Sequence, residues 1–479
     1  MDKKITTNFI YNLLYQILNI VAPLVTTPYI ARVLGADGVG IYSYTSTMAT
    51  TFSMFAALGS GIYGQRAIAM LQDDIHSRST VFWELLLLRA GMTLMVTGAY
   101  LALCLVYRSY TTYLLLCLFL VVTTMFDTSG LFTGMENFRV IVTNNTLIRI
   151  ITIVSMFLLV KRPEDVGAYI FINAASSILG TAYLFFMLPK YVKPVPLKDL
   201  HILRHLPGVI QYFIPIIAVQ IYSQIDKLML GAMGADASEN GYYEQARKLT
   251  NLVVVMTTAL NTVLLPRLSN LFGKNDKKTM VSTYQETFRF TLLLLLPIAV
   301  GLFMISDHFV LWFLGPDFTK TSLLLKWSCA LIVLMTVGNF IGMQYLNPTG
   351  QQNKMTAIYL SAAAVNVVLN LIMIPRLLSE GAIIASVAAE AVSCSAQIWL
   401  LKRSEYNFKM LQGTWKYAVA AATMAGAIWL FNTQMHLPGP VMTLSDISLG
   451  ATCYFVVLLL LREKSLLSIT HKVFVKFHK

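Results

Sequence analysis

Arg149 carries the sharpest chemical implication in the chain. It stands near the middle of an apolar stretch, 140–160, with Asn145 four residues before it and Thr152 three residues after. In a helix those offsets share one face. A guanidinium is costly in hydrocarbon unless it faces a bundle interior or a watery cavity. Its planar fork of donors suits phosphate or carboxylate. The face therefore reads in two ways: a cavity wall that meets an anion, or a structural pair with a buried acid or carbonyl.

Four further stripes have the same helical spacing. The stretch 241–265 opens with Glu244, Arg247, Lys248 and Asn251 and continues to Thr258 and Thr262. Glu244 and Lys248 are also spaced to pair with each other. The stretch 207–232 carries Gln220, Gln224 and Lys227, with Asp226 beside them. The first stretch, 8–31, carries Asn12, Gln16, Asn19, Pro23 and Thr26, then Pro28 and Arg32. Prolines there permit a bend, while the amides equally serve as helix–helix glue. The stretch 381–401 aligns Ser386, Glu390, Ser393 and Gln397. Glu390, and Asp226 with it, could exchange a proton or hold a coupling cation such as sodium; a neutral, hydrogen-bonded structural acid is the other reading of Glu390. The candidate substrate contacts are thus Arg149, Arg32, Lys227, Arg247, Lys248, Asn145, Gln224 and Asn251. Arg89, Arg289 and Lys326 lie nearer span ends or on ambiguous faces.

Signals for catalysis are poor. Gly59 to Gly64 fits a GxGxxG pattern but lies in an apolar stretch, without the strand–turn–helix setting a nucleotide needs. Asp73 and Asp74 read as a solvated loop pair. His201 and His205 have i, i+4 spacing but no third ligand. The five cysteines, Cys104, Cys117, Cys329, Cys394 and Cys453, sit singly in apolar segments and read as packing residues. No catalytic residue, metal or cofactor is expected.

The elements that must position these groups are membrane helices. Of 479 residues, 56% are hydrophobic and 12% charged, with mean hydropathy +0.65; soluble folds carry about 25% charged residues. The chain therefore reads as an all-α integral membrane protein. The rule of about 20 apolar residues per crossing gives fourteen spans. They lie near 8–31, 40–63, 81–106, 111–134, 140–160, 166–188, 207–232, 241–265, 284–310, 320–346, 355–375, 381–401, 414–434 and 445–461. The N-terminus runs straight into the first span, so no cleaved signal peptide is expected. With that end in the cytoplasm, 23 lysines and arginines fall on the inner side and 6 on the outer. This bias places both termini inside, in a bacterial cytoplasmic membrane. It also explains the net charge of +13 without nucleic acid: inner loops face anionic lipid.

The chain looks duplicated. The turn RVLGADGVGIYSY, Arg32 to Tyr44, recurs within QIDKLMLGAMGADASENGYYEQARKL, Gln224 to Leu249, through Gly234, Asp236 and Gly241. Arg66 matches Arg267 and Glu84 matches Glu286, at offsets of 201 and 202. Thr133-Gly134 with Glu136-Asn137 matches Thr349-Gly350 with Gln352-Asn353, at 216. An even helix number per copy makes the copies parallel. The expected division is an N-terminal lobe at 1–206, a C-terminal lobe at 207–405, and two extra helices with a cytoplasmic tail at 406–479.

Six stretches carry a resemblance: PYIARVLGADGVGIY, FIPIIAVQIYSQIDKLMLG, GYYEQARKL, LPRLSNLF, LPIAVGLF with FLGPDF, and IGMQYLNPTGQQNK. Together they resemble the bacterial lipid-linked oligosaccharide flippases, the polysaccharide-transport branch of the multidrug/oligosaccharidyl-lipid/polysaccharide exporter superfamily. One departure stands at Asp127-Thr128-Ser129-Gly130, where relatives often carry a tryptophan; it bears on local packing more than on activity. The resemblance implies two six-helix lobes around a central cavity, two extra helices and alternating access. It implies a cargo of undecaprenyl-pyrophosphate-linked repeat units for capsule, O-antigen or exopolysaccharide. Membrane lipid and the polysaccharide polymerase machinery are the implied partners. Two alternatives stay open within the superfamily: a peptidoglycan-precursor flippase and a multidrug exporter. A membrane polysaccharide polymerase or glycosyltransferase is the alternative of another class, although the short loops offer no catalytic domain. A structural scaffold for the machinery is a third kind of reading.

Overall fold

The computed structural model describes residues 3–274, 276–404, 406, 412–435, 437–463 and 466, with side chains at 3–17, 19–20, 221, 257–267 and 272 outside that description. Asn12, Gln16, Asn19, Thr258, Thr262 and Arg267 are among the latter. Fifteen α-helices, short 3-10 turns, a π-helical turn at Gly342–Leu346 and connecting loops make up the described residues. They run α1 (Lys3–Ala57), α2 (Ser60–Ala69), α3 (Ile75–Val106), α4 (Thr111–Thr123), α5 (Ser129–Gly134), α6 (Phe138–Leu159), α7 (Val166–Met187) and α8 (Leu206–Ala232). They continue as α9 (Ala237–Gly273), α10 (Lys277–Phe313), α11 (Thr319–Ile341), α12 (Gln352–Leu377), α13 (Ser379–Lys402), α14 (Trp415–Gln434) and α15 (Gly439–Leu460).

Ten described helices, some with a flanking turn, are long and apolar enough to cross a membrane. The chain is a multi-pass membrane protein. Helices long enough to cross also coincide with the remaining expected spans, with two local differences. As expected, the first two spans are separate helices within α1: they meet at a kink at Gly35, φ 66° and ψ −178°, with Pro23 and Pro28 before it. Only a residue without Cβ adopts that backbone cheaply. The second span ends at Ala57, so the Gly59–Gly64 motif sits at a helix junction instead of inside a span. The fourth span is discontinuous. α4 stops at Thr123, a 3-10 turn covers Thr124–Phe126, and Asp127 and Thr128 are non-helical before α5 starts.

Packing divides the chain into two compact units, 1–241 and 242–479. The lobe boundary expected from the sequence lies at 206/207, whereas α8 falls within the first of these units. In the first unit α1 lies against α3, α4 and α6, and α7 covers α4 and α6. Asp74 caps α3, accepting from His76 N at 3.0 Å and Ser77 N at 3.2 Å. Its hydrogen bonds to Ser77 hold this loop carboxylate below its ordinary range.

The segment between α7 and α8 is stapled to the first turns of α3. Arg78 Nη2 donates to Tyr191 O at 2.7 Å, Ser79 Oγ accepts from Lys193 N at 2.9 Å, and Trp83 Nε1 donates to Lys193 O at 2.9 Å. The fully buried Glu84 takes His201 N at 2.6 Å on Oε1. Its Oε2 meets Arg204 Nη2 at 2.5 Å and His205 Nε2 at 2.7 Å. His205 Nδ1 lies 2.9 Å from the Tyr63 hydroxyl. Glu286, the sequence counterpart of Glu84, is exposed.

The second unit is built on α10, α11, α13, α14 and α15. Its core holds Tyr284, Phe288, Phe340, Met424, Ile428 and Tyr454. Tyr284 and Phe340 rings meet edge-on at 4.9 Å. Cys104, Cys117, Cys329 and Cys394 are buried, and all five cysteines are free thiols.

Candidate substrate-binding site

Arg149 lies midway along α6, half-buried. It lines a cavity of about 380 Å³ together with Asn145 and Thr152 from its own face, and Asn144 beside them. The opposite wall is α7, which contributes Asn173, Ser176, Ser177, Gly180 and Thr181. Asp127 and Ser129 close the site from the break after α4. Hydroxyl contacts fix the walls. Thr152 Oγ1 and Ser176 Oγ are 2.6 Å apart, and Thr123 Oγ1 and Ser177 Oγ 3.2 Å. Asn173 Nδ2 is committed to Tyr169 O at 2.8 Å.

Two buried atoms in this site have no hydrogen-bond partner: Arg149 Nε and Asn144 Oδ1. A buried polar group left unsatisfied costs about 1–3 kcal/mol, so such atoms mark where a ligand or water gains most. Among the described residues no carboxylate lies within ion-pair distance of Arg149. Asp127, the acid of the same cavity, is already engaged. Its Oδ1 accepts from Ser129 N at 2.9 Å. Its Oδ2 lies 3.7 Å from Arg89 Nη1, and the same Nη1 donates to the Asp127 carbonyl. Arg89 is 7% exposed, with Nε on Ser60 Oγ at 2.8 Å.

The other expected contacts fall elsewhere. Gln224 joins Gln220, Thr50, Thr51, Met54 and Phe55 around a second cavity of the first unit, about 410 Å³, between α1 and α8. Its Oε1 is buried without a partner. Asp226 is 2% exposed, Lys227 half-buried, and Arg32 exposed. Arg247 and Lys248 are half-buried on α9, with Arg247 Nη1 4.0 Å from Met335 Sδ, and Asn251 is exposed. On α13 the expected face is buried throughout: Ser386, Glu390, Ser393 and Gln397 are each 6% exposed or less. The Glu390 carboxylate lies 3.3 Å from where a Cβ of Gly338 would stand. Lys326 pairs with Asp307 at 2.6 Å. Within the first unit the structure brings Asn145 and Arg149 together and places Gln224 at a second cavity, while Arg247, Lys248, Asn251 and Glu390 belong to the second unit.

Sequence reasoning missed Asn144 and all of the α7 wall. The signal was present: Asn173, Ser176, Ser177, Gly180 and Thr181 follow i, i+3, i+4, i+7, i+8 spacing.

The family described as polysaccharide biosynthesis protein matches residues 5–272, and the MatE family matches 213–372. A putative O-antigen transporter of Escherichia coli (strain K12) is 21% identical over 410 residues, 83% of this chain and 97% of that one. The probable low-salt glycan biosynthesis flippase Agl15 of Haloferax volcanii is 25% identical over 320 residues, 66% of each chain. In three dimensions the chain is similar to lipid II flippase MurJ in an inward closed conformation, with TM-score 0.72 at 15% identity, over 95% of this chain and 99% of that one. An inward-facing multidrug resistance MATE family transporter gives 0.60 at 15% identity, over 80% and 98%. Those likenesses show the fold, and the sequence match over more than half its length shows the family: the chain belongs to the polysaccharide biosynthesis proteins of the multidrug/oligosaccharidyl-lipid/polysaccharide exporter superfamily.

Proposed function

We propose that this chain is a flippase that moves lipid-linked oligosaccharide from the inner to the outer leaflet of a cytoplasmic membrane by alternating access. The single observation that carries the reading is the polar cavity among membrane helices in which Arg149 Nε has no partner. Amides and hydroxyls there suit sugar groups, and the guanidinium suits an anion. Relatives named as an O-antigen transporter and a glycan biosynthesis flippase support it. Transport, not bond-making, is the work, so no residue has a catalytic role.

The carrier would be undecaprenyl pyrophosphate, and the cargo a repeat unit of capsule, O-antigen or exopolysaccharide. A pyrophosphate does not cross hydrocarbon unaided. Arg149 and Asn145 are the first contacts under this reading, with Arg32, Lys227, Arg247, Lys248, Gln224 and Asn251 secondary. Asp226 and the buried Glu390 are the groups for a coupling proton or sodium ion. The lysine and arginine bias supports both termini facing the cytoplasm, where polymer-assembly partners would supply the substrate.

The test is deletion of the gene. Lipid-linked repeat units should accumulate in the inner leaflet, and surface polymer should fall. An unchanged leaflet distribution would sink the reading. Rescue of a lipid II flippase mutant, or drug resistance on expression, would favour the other branches of the superfamily. Sugar transfer by the purified protein would favour an enzyme.

A further inference from the structure

The last helix, α15, runs antiparallel to α10 along a seam within the second unit. Near its start a Cβ on Gly439 would stand 2.9 Å from Trp312 Cβ. One turn on, Trp312 Nε1 donates to Thr443 Oγ1 at 2.7 Å. Toward its other end the Tyr454 hydroxyl donates to Leu293 O at 3.1 Å. Between these contacts His308 Nε2 lies 3.0 Å from Asp446 Oδ2, with the side chains 23% and 0% exposed. Apolar groups line the seam around the carboxyl, among them Ile305, Ile428, Ile447 and Gly450. His308 Nε2, both Asp446 oxygens and Asn432 Oδ1 are buried without a well-directed hydrogen bond.

Asp446 is the only charged residue of α15, and Lys416 the only one of α14. Lys416 and Tyr417 engage Glu463, at the opposite end of this helix pair. On α10, Asp307 pairs with Lys326 of α11 at 2.6 Å. The other charges of α10, Lys277, Lys278, Glu286 and Arg289, lie nineteen or more residues before His308. Asp317 is exposed just before α11, and Lys320 stands in its first turn. Among the described residues, His308 and Asn432 are the groups that act on the Asp446 carboxyl.

A lone charge in such a seam is costly, whereas a neutral or paired arrangement is not. One proton shared by the imidazole and the carboxyl makes the pair neutral overall. Removing it leaves a fully buried carboxylate beside a neutral imidazole; adding a second leaves an imidazolium beside a neutral acid. We propose that His308 and Asp446 form a proton-binding site that clasps α15, and α14 with it, to α10, and that loss of the shared proton loosens the clasp. Freed from the seam, the carboxyl ionises near about pH 4 and the imidazole loses its proton near about pH 6.5. Between those values docked and undocked pairs both carry one proton, so docking does not depend on pH. Above about pH 6.5 the undocked pair carries none, so docking weakens as pH rises. Both residues lie within about two turns of the helix ends at Phe313 and Gly439. The clasp therefore answers to the pH on that side of the membrane. The inference uses neither the cargo nor the flippase reading.

The experiment follows hydrogen exchange of α14 and α15 in the full-length protein in lipid nanodiscs, from about pH 5 to pH 9. Rates are corrected for the intrinsic pH dependence of exchange. Corrected exchange should be level at the acid end of this range. It should then quicken toward the alkaline end, by up to about tenfold per pH unit, the limit for one proton. Asp446→Asn, alone or with His308→Gln, keeps the shape of the seam and has no shared proton to lose. Its profile should be level throughout. A level profile in the unaltered protein would overturn the proposal, and that measurement needs no variant to fold. So would an alkaline rise of equal slope in Asp446→Asn.

Discussion

Gly40 and Ala237 meet backbone to backbone. A Cβ built on Gly40 would stand 1.7 Å from the Ala237 carbonyl oxygen. The contact is reciprocal, because a Cβ on Gly241 would stand 2.1 Å from the carbonyl oxygen of Ala36. Ala36 and Ala237, and Gly40 and Gly241, are separated by the same 201 residues. The two segments thus touch reciprocally, residue i on j and j on i.

Gly40→Ala should therefore be poorly tolerated. Backbone, not a flexible side chain, stands in the way, so the two segments must separate. Overpacking of this kind typically costs about 1–3 kcal/mol. The melting temperature of the detergent-solubilised protein should fall for Gly40→Ala and Gly241→Ala alike. A matching Gly→Ala change at Gly98, where a Cβ meets nothing within 4 Å, should leave it unchanged.

Glu84→Ala should destabilise the first unit by about 3 kcal/mol, the range for breaking a buried ion pair. It removes the acceptor for His201 N, Arg204 and His205 together. Limited proteolysis should then cut the segment 191–205 faster than in the unaltered protein. Equal cutting rates would show that the other α3 contacts suffice.

The Arg89–Asp127 pair predicts a coupled energy. Asp127→Asn and Arg89→Met should each destabilise, the first because it leaves a buried guanidinium uncompensated. The double variant should lose less than the two single losses added, by roughly 1 kcal/mol or more. Strict additivity in thermal unfolding would mean the 3.7 Å approach carries no energy.

Arg149→Ala should lower surface polysaccharide about tenfold at normal protein level, with Arg149→Lys intermediate. Full polymer display by the Ala variant would remove Arg149 from the mechanism.

Orientation is open to a direct check. Cysteines placed at Glu164 and Lys198, both exposed, should react differently with a membrane-impermeant thiol reagent applied to spheroplasts: Glu164→Cys should be labelled and Lys198→Cys protected. The opposite pattern would invert the topology.

The sequence made the helices legible because hydrocarbon thickness fixes their length. It made the face of Asn145, Arg149 and Thr152 legible because helical periodicity fixes which residues share a side. Periodicity does not say which helix looks at that side. The α7 wall was therefore invisible until packing set it against α6, although its own stripe was readable. Asp127 was noticed only as a departure from a pattern. Its importance comes from the helix break that aims its carbonyl and carboxylate at Arg89, and no local propensity announces that. Gln224 shares the amide chemistry of Asn145 yet lines a different cavity, because α8 packs against α1.

The stapling of residues 191–205 has a mechanical corollary. Fifteen residues of free chain would stretch across roughly 50 Å and let their two ends wander independently. Pinned at Tyr191 and Lys193 at one end and His201, Arg204 and His205 at the other, this strip is anchored to α3 at both ends, and the second anchor adjoins Leu206, where α8 begins.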